Sequence, residues 1–272
     1  MSRPPALARA LAILPALAAL GMLLLLVLPL VALVLSTSGA DFIDGLRHPL
    51  AVAALKLSLL TTTITLVLTL LLGTPLAWWL ARHDGWPERV LSTLVLLPIV
   101  IPPAVSGLAL LLAFGRRGLL GPWLERMGWS LPFTTAAVVV AELFVSSPFF
   151  IQSAVAAFRR LDDELLTVAS TLGAGPARRF FRVALPLTAP GLGTGAALSW
   201  ARALGEFGAT LMFAGNLSGR TQTLPLAIYT ALETDLRPAK ALSLLLVLVA
   251  LAVLLPLGHT FFVGDLRARP AS

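Results

Sequence analysis

Hydrophobic and polar positions in this chain fall in long blocks and do not alternate residue by residue. Six apolar stretches stand out, roughly 11–35, 51–80, 90–114, 134–157, 185–208 and 241–263. Each is as long as the ~20 residues an α-helix needs to cross ~30 Å of hydrocarbon. The intervening segments 36–50, 81–89, 115–133, 158–184 and 209–240 carry the charge and much of the Gly and Pro. The period-2 alternation of an outer-membrane strand is missing, so helices are the expected means of satisfying the backbone in lipid. The pattern predicts an all-α polytopic membrane protein of about six transmembrane helices. It shows no internal repeat, low-complexity tract or appended water-soluble domain.

Composition strengthens this reading. Of 272 residues, 58% are hydrophobic and 12% charged, and mean hydropathy is +0.92. A soluble surface takes about one quarter charged residues, so this chain cannot clothe itself for water. Arg3 and Arg9 ahead of an apolar run that ends in Ser36-Thr37-Ser38-Gly39-Ala40 have the outline of a cleaved signal peptide. That run is about 25 residues, beyond the ~7–15 of a signal core, so it is read as a retained span.

With no Cys, the chain excludes disulfides, thiolate metal sites, iron–sulfur clusters and thiol nucleophiles. His48, His83 and His259 are scattered and form no HxxxH or HExxH pair. The net charge of +7 is read as topology signal and lipid-headgroup contact, not as a nucleic-acid surface.

With the N-terminus inside, the inner segments hold 11 basic residues: Arg3, Arg9, Arg82, Arg89, Arg159, Arg160, Arg178, Arg179, Arg182, Arg267 and Arg269. The outer segments hold 7: Arg47, Arg116, Arg117, Arg126, Arg220, Arg237 and Lys240. The bias predicts both termini in the cytoplasm. It also makes 158–184 the largest cytoplasmic feature.

Residues 159–190 read RRLDDELLTVASTLGAGPARRFFRVALPLTAP. Local physics predicts two short helices around a turn. Asp162, Asp163 and Glu164 suit the positive end of a helix dipole. Gly173 suits a left-handed C′ position and Pro176 the first turn of the next helix. Arg178, Arg179 and Arg182 can reach lipid phosphates while Phe180 and Phe181 enter the interface. An amphipathic interfacial connector would share these features. The run also resembles the cytoplasmic "EAA" loop of bacterial ABC importer permeases: Glu-Ala-Ala, three residues, Gly, then about eleven to Leu-Pro. Here Thr167-Val168-Ala169, Gly173 and Leu185-Pro186 occupy those positions. Thr167 and Val168 replace the usual Glu and first Ala, and Glu164 is a nearby acid that could substitute.

A second run, Leu198–Tyr229, reads LSWARALGEFGATLMFAGNLSGRTQTLPLAIY. If its span enters near Leu185, Arg202 lies ~26 Å along and pairs with Glu206 at i,i+4 on one helical face. Charges at such depth usually face a bundle interior or a wet cavity; the alternative is that Arg202 snorkels outward and the pair is structural. Gly205 and Gly208 are expected to allow close helix approach. Thr210, Asn216, Ser218, Thr221, Gln222 and Thr223 are expected as neutral polar groups at a pathway mouth. Glu142 is the other acid well inside an apolar run, read either as a helix–helix partner or as a functional group.

ALGEFGAT followed by GNLSGRTQTLPLAIYTALE is similar to the molybdate ABC permease family, as are FGRRGLLGP at 114–122 and SLPFTTAAVVVAELFVSSPFF at 130–150. The likeness covers about 50–262. Sulfate/thiosulfate permeases share Gly-Glu-Phe-Gly but differ after it, and tungstate is a further alternative. The resemblance implies an ABC importer type I permease fold, with a tip, first helix and outer loop at 1–49, the permease domain at 50–263 with a coupling loop at 159–186, and a cytoplasmic tail at 264–272. It implies that Glu164, Thr167, Val168, Ala169, Gly173, Arg178, Phe181, Leu185 and Pro186 engage an ATPase. Arg202, Gly205, Glu206, Phe207, Gly208 and Thr210 would line or gate the pathway. The implied assembly is a permease homodimer in the inner membrane, two cytoplasmic ATPase subunits and an extracytoplasmic molybdate-binding protein.

No Walker A sequence occurs, so the chain is expected to be no enzyme and to carry no cofactor; ATP and Mg would sit on the partner ATPase. An ion-coupled secondary transporter would want midplane ionisable groups or paired broken helices, and an intramembrane enzyme a base–nucleophile pair. Neither pattern is evident.

Overall fold

The structure is a computed structural model that describes residues 6–47 and 49–266. Arg3, His48, Arg267, Arg269 and most of the expected tail lie outside the described residues. Among the described residues thirteen α-helices follow one another: α1 (Ala6–Ser36), α2 (Gly39–Arg47), α3 (Pro49–Arg82), α4 (Trp86–Val100), α5 (Pro103–Phe114), α6 (Gly121–Arg126), α7 (Thr135–Arg159), α8 (Asp163–Thr171), α9 (Pro176–Arg179), α10 (Leu185–Leu204), α11 (Gly208–Phe213), α12 (Leu224–Leu232) and α13 (Leu236–Leu266). A π-helical turn, Phe180–Ala184, joins α9 to α10. No strand occurs among the described residues.

Among the described residues four helical stretches are apolar and long enough to cross a membrane: Leu14–Ser36, Leu50–Arg82, Thr135–Arg159 and Leu236–Leu255. The expected third span is instead broken, with α4 and α5 meeting at 117°. The cause is local, because Pro102 and Pro103 push Ile101 out of the helical region, to φ −71°, ψ 130°. The expected fifth span is shorter than 185–208: α10 ends at Leu204, and three Gly and two Pro dilute its apolar character. Among the described residues the bundle thus combines continuous apolar spans with one broken pair and the shorter, Gly- and Pro-bearing α10.

The core forms around α7, sandwiched between α3 and α10. Thr134 caps it, its hydroxyl accepting the Ala137 N–H at 3.2 Å. One cluster joins Ala137, Val138, Ala141 and Val145 of α7 to Leu110 of α5 and Ala209 and Phe213 of α11. A second, toward the other end of α7, joins Phe150, Ala154 and Phe158 to Ala77 and Leu80 of α3 and Leu192 of α10. On α10, Gly191 and Gly195 are one turn apart and face α7. A Cβ on Gly191 would lie 2.6 Å from Ala157 Cβ, and one on Gly195 2.7 Å from Ser153 Cβ. This small-residue seam lets the Ser153 hydroxyl donate to the Gly191 carbonyl at 2.9 Å.

Polar side chains stitch the same bundle. Glu142 is 2% exposed and accepts from Thr61 at 2.8 Å and Thr65 at 2.9 Å, so it ties α7 to α3. Ser199 of α10 donates to the Ser146 carbonyl of α7 at 3.0 Å. These contacts make Glu142 a helix–helix partner, one of the two readings its position in the chain permitted. Apart from the half-buried Leu33, the apolar residues of α1 from Leu14 onward remain exposed, a face for lipid or another chain.

Candidate functional site

Two features at opposite ends of α7 draw attention. At the C-terminal end, Asp162 caps α8, its carboxylate accepting the Glu164 N–H at 2.9 Å. Asp163 and Glu164 occupy the first turn, where the helix dipole favours anions. The helix stops at Gly173, whose φ of +81° is the left-handed conformation glycine adopts without strain. Pro176 then opens α9. The two helices expected around a turn are thus present. Leu166 is buried, whereas Leu165 (46%), Val168 (56%) and Leu172 (81%) are exposed. Spacings of three and four place those three on one face, so α8 presents an apolar stripe that no described residue covers.

Thr167 turns back on its own helix, its hydroxyl donating to the Asp163 carbonyl at 3.0 Å. Glu164, Arg178, Phe181 and Pro186 are exposed, while Ala169 and Leu185 are partly covered. One sequence expectation needs correcting. Phe180 does not enter a lipid interface: it packs edge-on against Trp78 at 5.2 Å and tilts against Phe158 at 6.2 Å. At Gly173 a Cβ would meet nothing within 4 Å, so it is the left-handed backbone conformation, not packing, that demands the glycine.

At the N-terminal end of α7 lies a polar seam between α5 and α11. Arg202 Nη2 stands 2.7 Å from Glu206 Oε2, with side-chain exposures of 27% and 1%. The other Glu206 oxygen accepts the Ala209 N–H at 2.8 Å, which caps α11. The expected pair therefore forms, but not on one continuous helix, because α10 ends at Leu204 and α11 begins at Gly208. The break gives one carboxylate two duties, holding Arg202 and starting the next helix.

Of the two glycines expected to permit close approach, only Gly208 does so: a Cβ there would lie 2.9 Å from Pro103 Cβ. Gly205 is exposed, and its nearest neighbour would be the Ala201 carbonyl at 3.7 Å. Phe207 tilts against Tyr229 at 5.3 Å. Thr210 is fully buried, and its hydroxyl has no hydrogen-bond partner among the described residues. The Ser106 and Ser146 hydroxyls share that condition.

The segment after α11 differs from the open mouth its polarity suggested. Thr221, Gln222 and Thr223 are buried. Gln222 donates to Asn216 at 2.9 Å, Asn216 donates to Thr230 at 2.9 Å, and Thr221 accepts the Leu217 N–H at 2.9 Å. Gly107, not singled out from sequence, faces α11 so closely that a Cβ would lie 2.7 Å from the Ala209 carbonyl. The Pro102-Pro103 break just before it was the available signal. Arg82, read from sequence only as a topology charge, pairs with Asp163; its neighbours Trp78 and Trp79 were the hint.

The described residues thus form a lipid-compatible bundle with an uncovered helix–turn–helix at one end and a broken polar seam at the other. Comparison with known proteins assigns the class: the chain belongs to the binding-protein-dependent transport system inner membrane component family, whose model matches residues 73–267. It is 48% identical over 237 residues to the molybdenum transport system permease protein ModB of Mycobacterium tuberculosis, covering 87% of this chain and 90% of that one. It is 43% identical over 182 residues to the ModB protein of Azotobacter vinelandii, covering 66% of this chain and 80% of that one. Its fold matches a bacterial ABC transporter involved in import of the acidic polysaccharide alginate, with TM-score 0.75 and 16% identity over 93% of this chain and 95% of that one. The chain is a multi-pass inner-membrane permease subunit of an ABC importer.

Proposed function

We propose that the imported substrate is molybdate, received from an extracytoplasmic binding protein and moved by a permease homodimer bearing two cytoplasmic ATPase subunits. The observation that carries this reading is the 48% identity, over 87% of the chain, to a molybdenum transport permease. The α8 end faces the cytoplasm and both termini lie there, in keeping with the excess of basic residues on that side. Residues 1–49 supply the first helix and outer loop, 50–263 the permease domain and 264–272 a tail. ATP and Mg belong to the partner ATPase, and this chain contributes no catalytic group and no cofactor.

In this reading the Leu165–Val168–Leu172 stripe seats in a groove of the ATPase, together with Glu164, Thr167, Ala169, Gly173, Arg178, Phe181, Leu185 and Pro186. The exposed apolar face of α8 supports the seat, because covering such a face removes apolar surface from water. Movement of the seat passes through α9 and the π-helical turn into α10. The far end of α10 carries Arg202, and beyond it Gly205, Glu206, Phe207, Gly208 and Thr210 form the gate. Burying an unpartnered hydroxyl costs about 1–3 kcal/mol. Ser106, Ser146 and Thr210 therefore favour any opening that offers them water or an oxyanion. Arg202, partly exposed and paired with Glu206, offers hydrogen-bond donors at that end of the pathway, and tight selection is left to the binding protein, since stripping water from such an ion in low dielectric is expensive.

The test is cellular molybdenum, tungsten and sulfate accumulation at low external anion, comparing a deletion strain with its complemented parent. Loss of molybdenum uptake with sulfate uptake intact, and competition by tungstate, is the expected result. Loss of sulfate uptake alone would overturn the substrate and keep the permease.

A further inference from the structure

The side-chain contacts of α8 reach beyond its own chain neighbours. Its backbone packs on the π-helical turn and α9, which lead into α10. Asp163 instead reaches α3, where its carboxylate accepts from Arg82 Nη1. The guanidinium is held in place: its carbon lies 4.6 Å from the Trp78 ring centroid, and Trp78 packs edge-on against Phe158 at 5.1 Å and Phe180 at 5.2 Å. Beside it, Arg159 at the end of α7 donates to the Leu80 carbonyl at 3.4 Å and faces Asp84 at 3.7 Å. A cleft of about 430 Å³, lined by Arg82, Asp84, Arg159 and Asp163, separates these helix ends.

Arg82 Nε and Nη2 are buried without a hydrogen-bond partner among the described residues. The guanidinium thus holds α8 by one of its faces while further donors stand idle. A shift of α8 into the cleft would bring a second Arg82 donor onto Asp163, turning a one-point contact into a bidentate fork. From Arg82, α3 runs 24 residues back to Ser58, or ~36 Å at helical rise. Along that length Thr65 and Thr61 hold Glu142 of α7. At its far end the Ser58 hydroxyl accepts the Leu224 N–H that opens α12, at 2.7 Å.

We propose that Arg82 is a positioning residue which, through Asp163, couples α8 to α3 and makes α3 a second transmission rod beside α10. The proposal rests on the reading that α8 seats on an ATPase. Seating presses α8 toward the bundle, Asp163 tightens on Arg82, and α3 carries the shift to the buried Glu142 layer and the start of α12.

The experiment uses the assembled importer in proteoliposomes with its binding protein, and reads anion moved per ATP hydrolysed alongside the yield of assembled complex. The ratio is read with whichever oxyanion the parent complex carries, so a wrong substrate in the functional reading leaves this result intact. Arg82→Glu and Asp163→Arg are each expected to lower the ratio about fivefold or more at parental yield. The double reversal Arg82→Glu/Asp163→Arg restores most of it, and Arg82→Lys falls between, keeping the charge but losing the planar fork. A purely structural contact would lower yield and leave the ratio alone. Single reversals with the parental ratio, or an assembled double reversal no better than the singles, would overturn the proposal. If the reversals do not assemble, Arg82→Gln and Asp163→Asn are read the same way, and a parental ratio in both overturns it.

Discussion

Replacing Arg202 with methionine keeps most of the side chain's length and removes its charge, leaving the Glu206 carboxylate, 1% exposed, without its cation. Taking one partner from a buried pair typically costs about 3–5 kcal/mol, because the remaining charge is stranded in low dielectric. Glu206 keeps one compensation, the Ala209 N–H at 2.8 Å, so the expected loss sits near the lower bound, about 3 kcal/mol. The opposite removal, Glu206→Gln, should cost less, about 1–2 kcal/mol. Arg202 is 27% exposed and can turn its head toward water, while the amide oxygen of Gln still accepts from Ala209. The double variant Arg202→Met/Glu206→Gln removes both charges and should lie within about 1 kcal/mol of the parent. Unfolding of the purified permease in mixed micelles, followed by tryptophan fluorescence across a denaturant series, reads all three differences. A double variant as unstable as Arg202→Met alone would refute the stranded-charge argument, as would equal costs for the two single changes. Uptake adds a separate test of the gate: Arg202→Ala should lose anion transport at parental assembly, and unchanged uptake would make the pair structural only.

Two further predictions follow from backbone geometry. Gly173→Trp forces a non-glycine residue to φ +81° and should cost about 1–2 kcal/mol, reducing ATP-coupled uptake with membrane insertion intact. Gly175→Ala is the control, since φ there is −64° and a Cβ meets nothing within 4 Å; equal uptake in the two variants would remove the conformational argument. Gly107→Leu drives a side chain into the Ala209 carbonyl and should destabilise by about 1–3 kcal/mol. It should also hold α5 off α11, and parental uptake and stability in that variant would show that the seam is loosely packed.

The class of this protein was legible because lipid imposes its demands on composition directly. Long Leu-, Ala- and Val-rich blocks with few charges have no stable aqueous form, and the helix is the structure that satisfies their backbone alone. The α8–turn–α9 unit was legible for a similar reason: Asp162, Gly173 and Pro176 act on the backbone within a few residues of themselves, so their positions in the chain carry the information. The Arg202–Glu206 pair was visible too, from its spacing. What tertiary structure decided was everything that depends on which surface faces which. Phe180 turns inward because Trp78 and Phe158, distant in the chain, offer it an aromatic pocket. Thr221–Thr223 are buried because α12 returns against Ser58 of α3. Gly208 is needed for close packing and Gly205 is not, because only one of them meets α5. Arg82 finds Asp163 across a gap of 81 residues. Local backbone preference is a property of a short segment and can be read from it; partnership between distant segments is a property of packing, and it exists only once the helices have met.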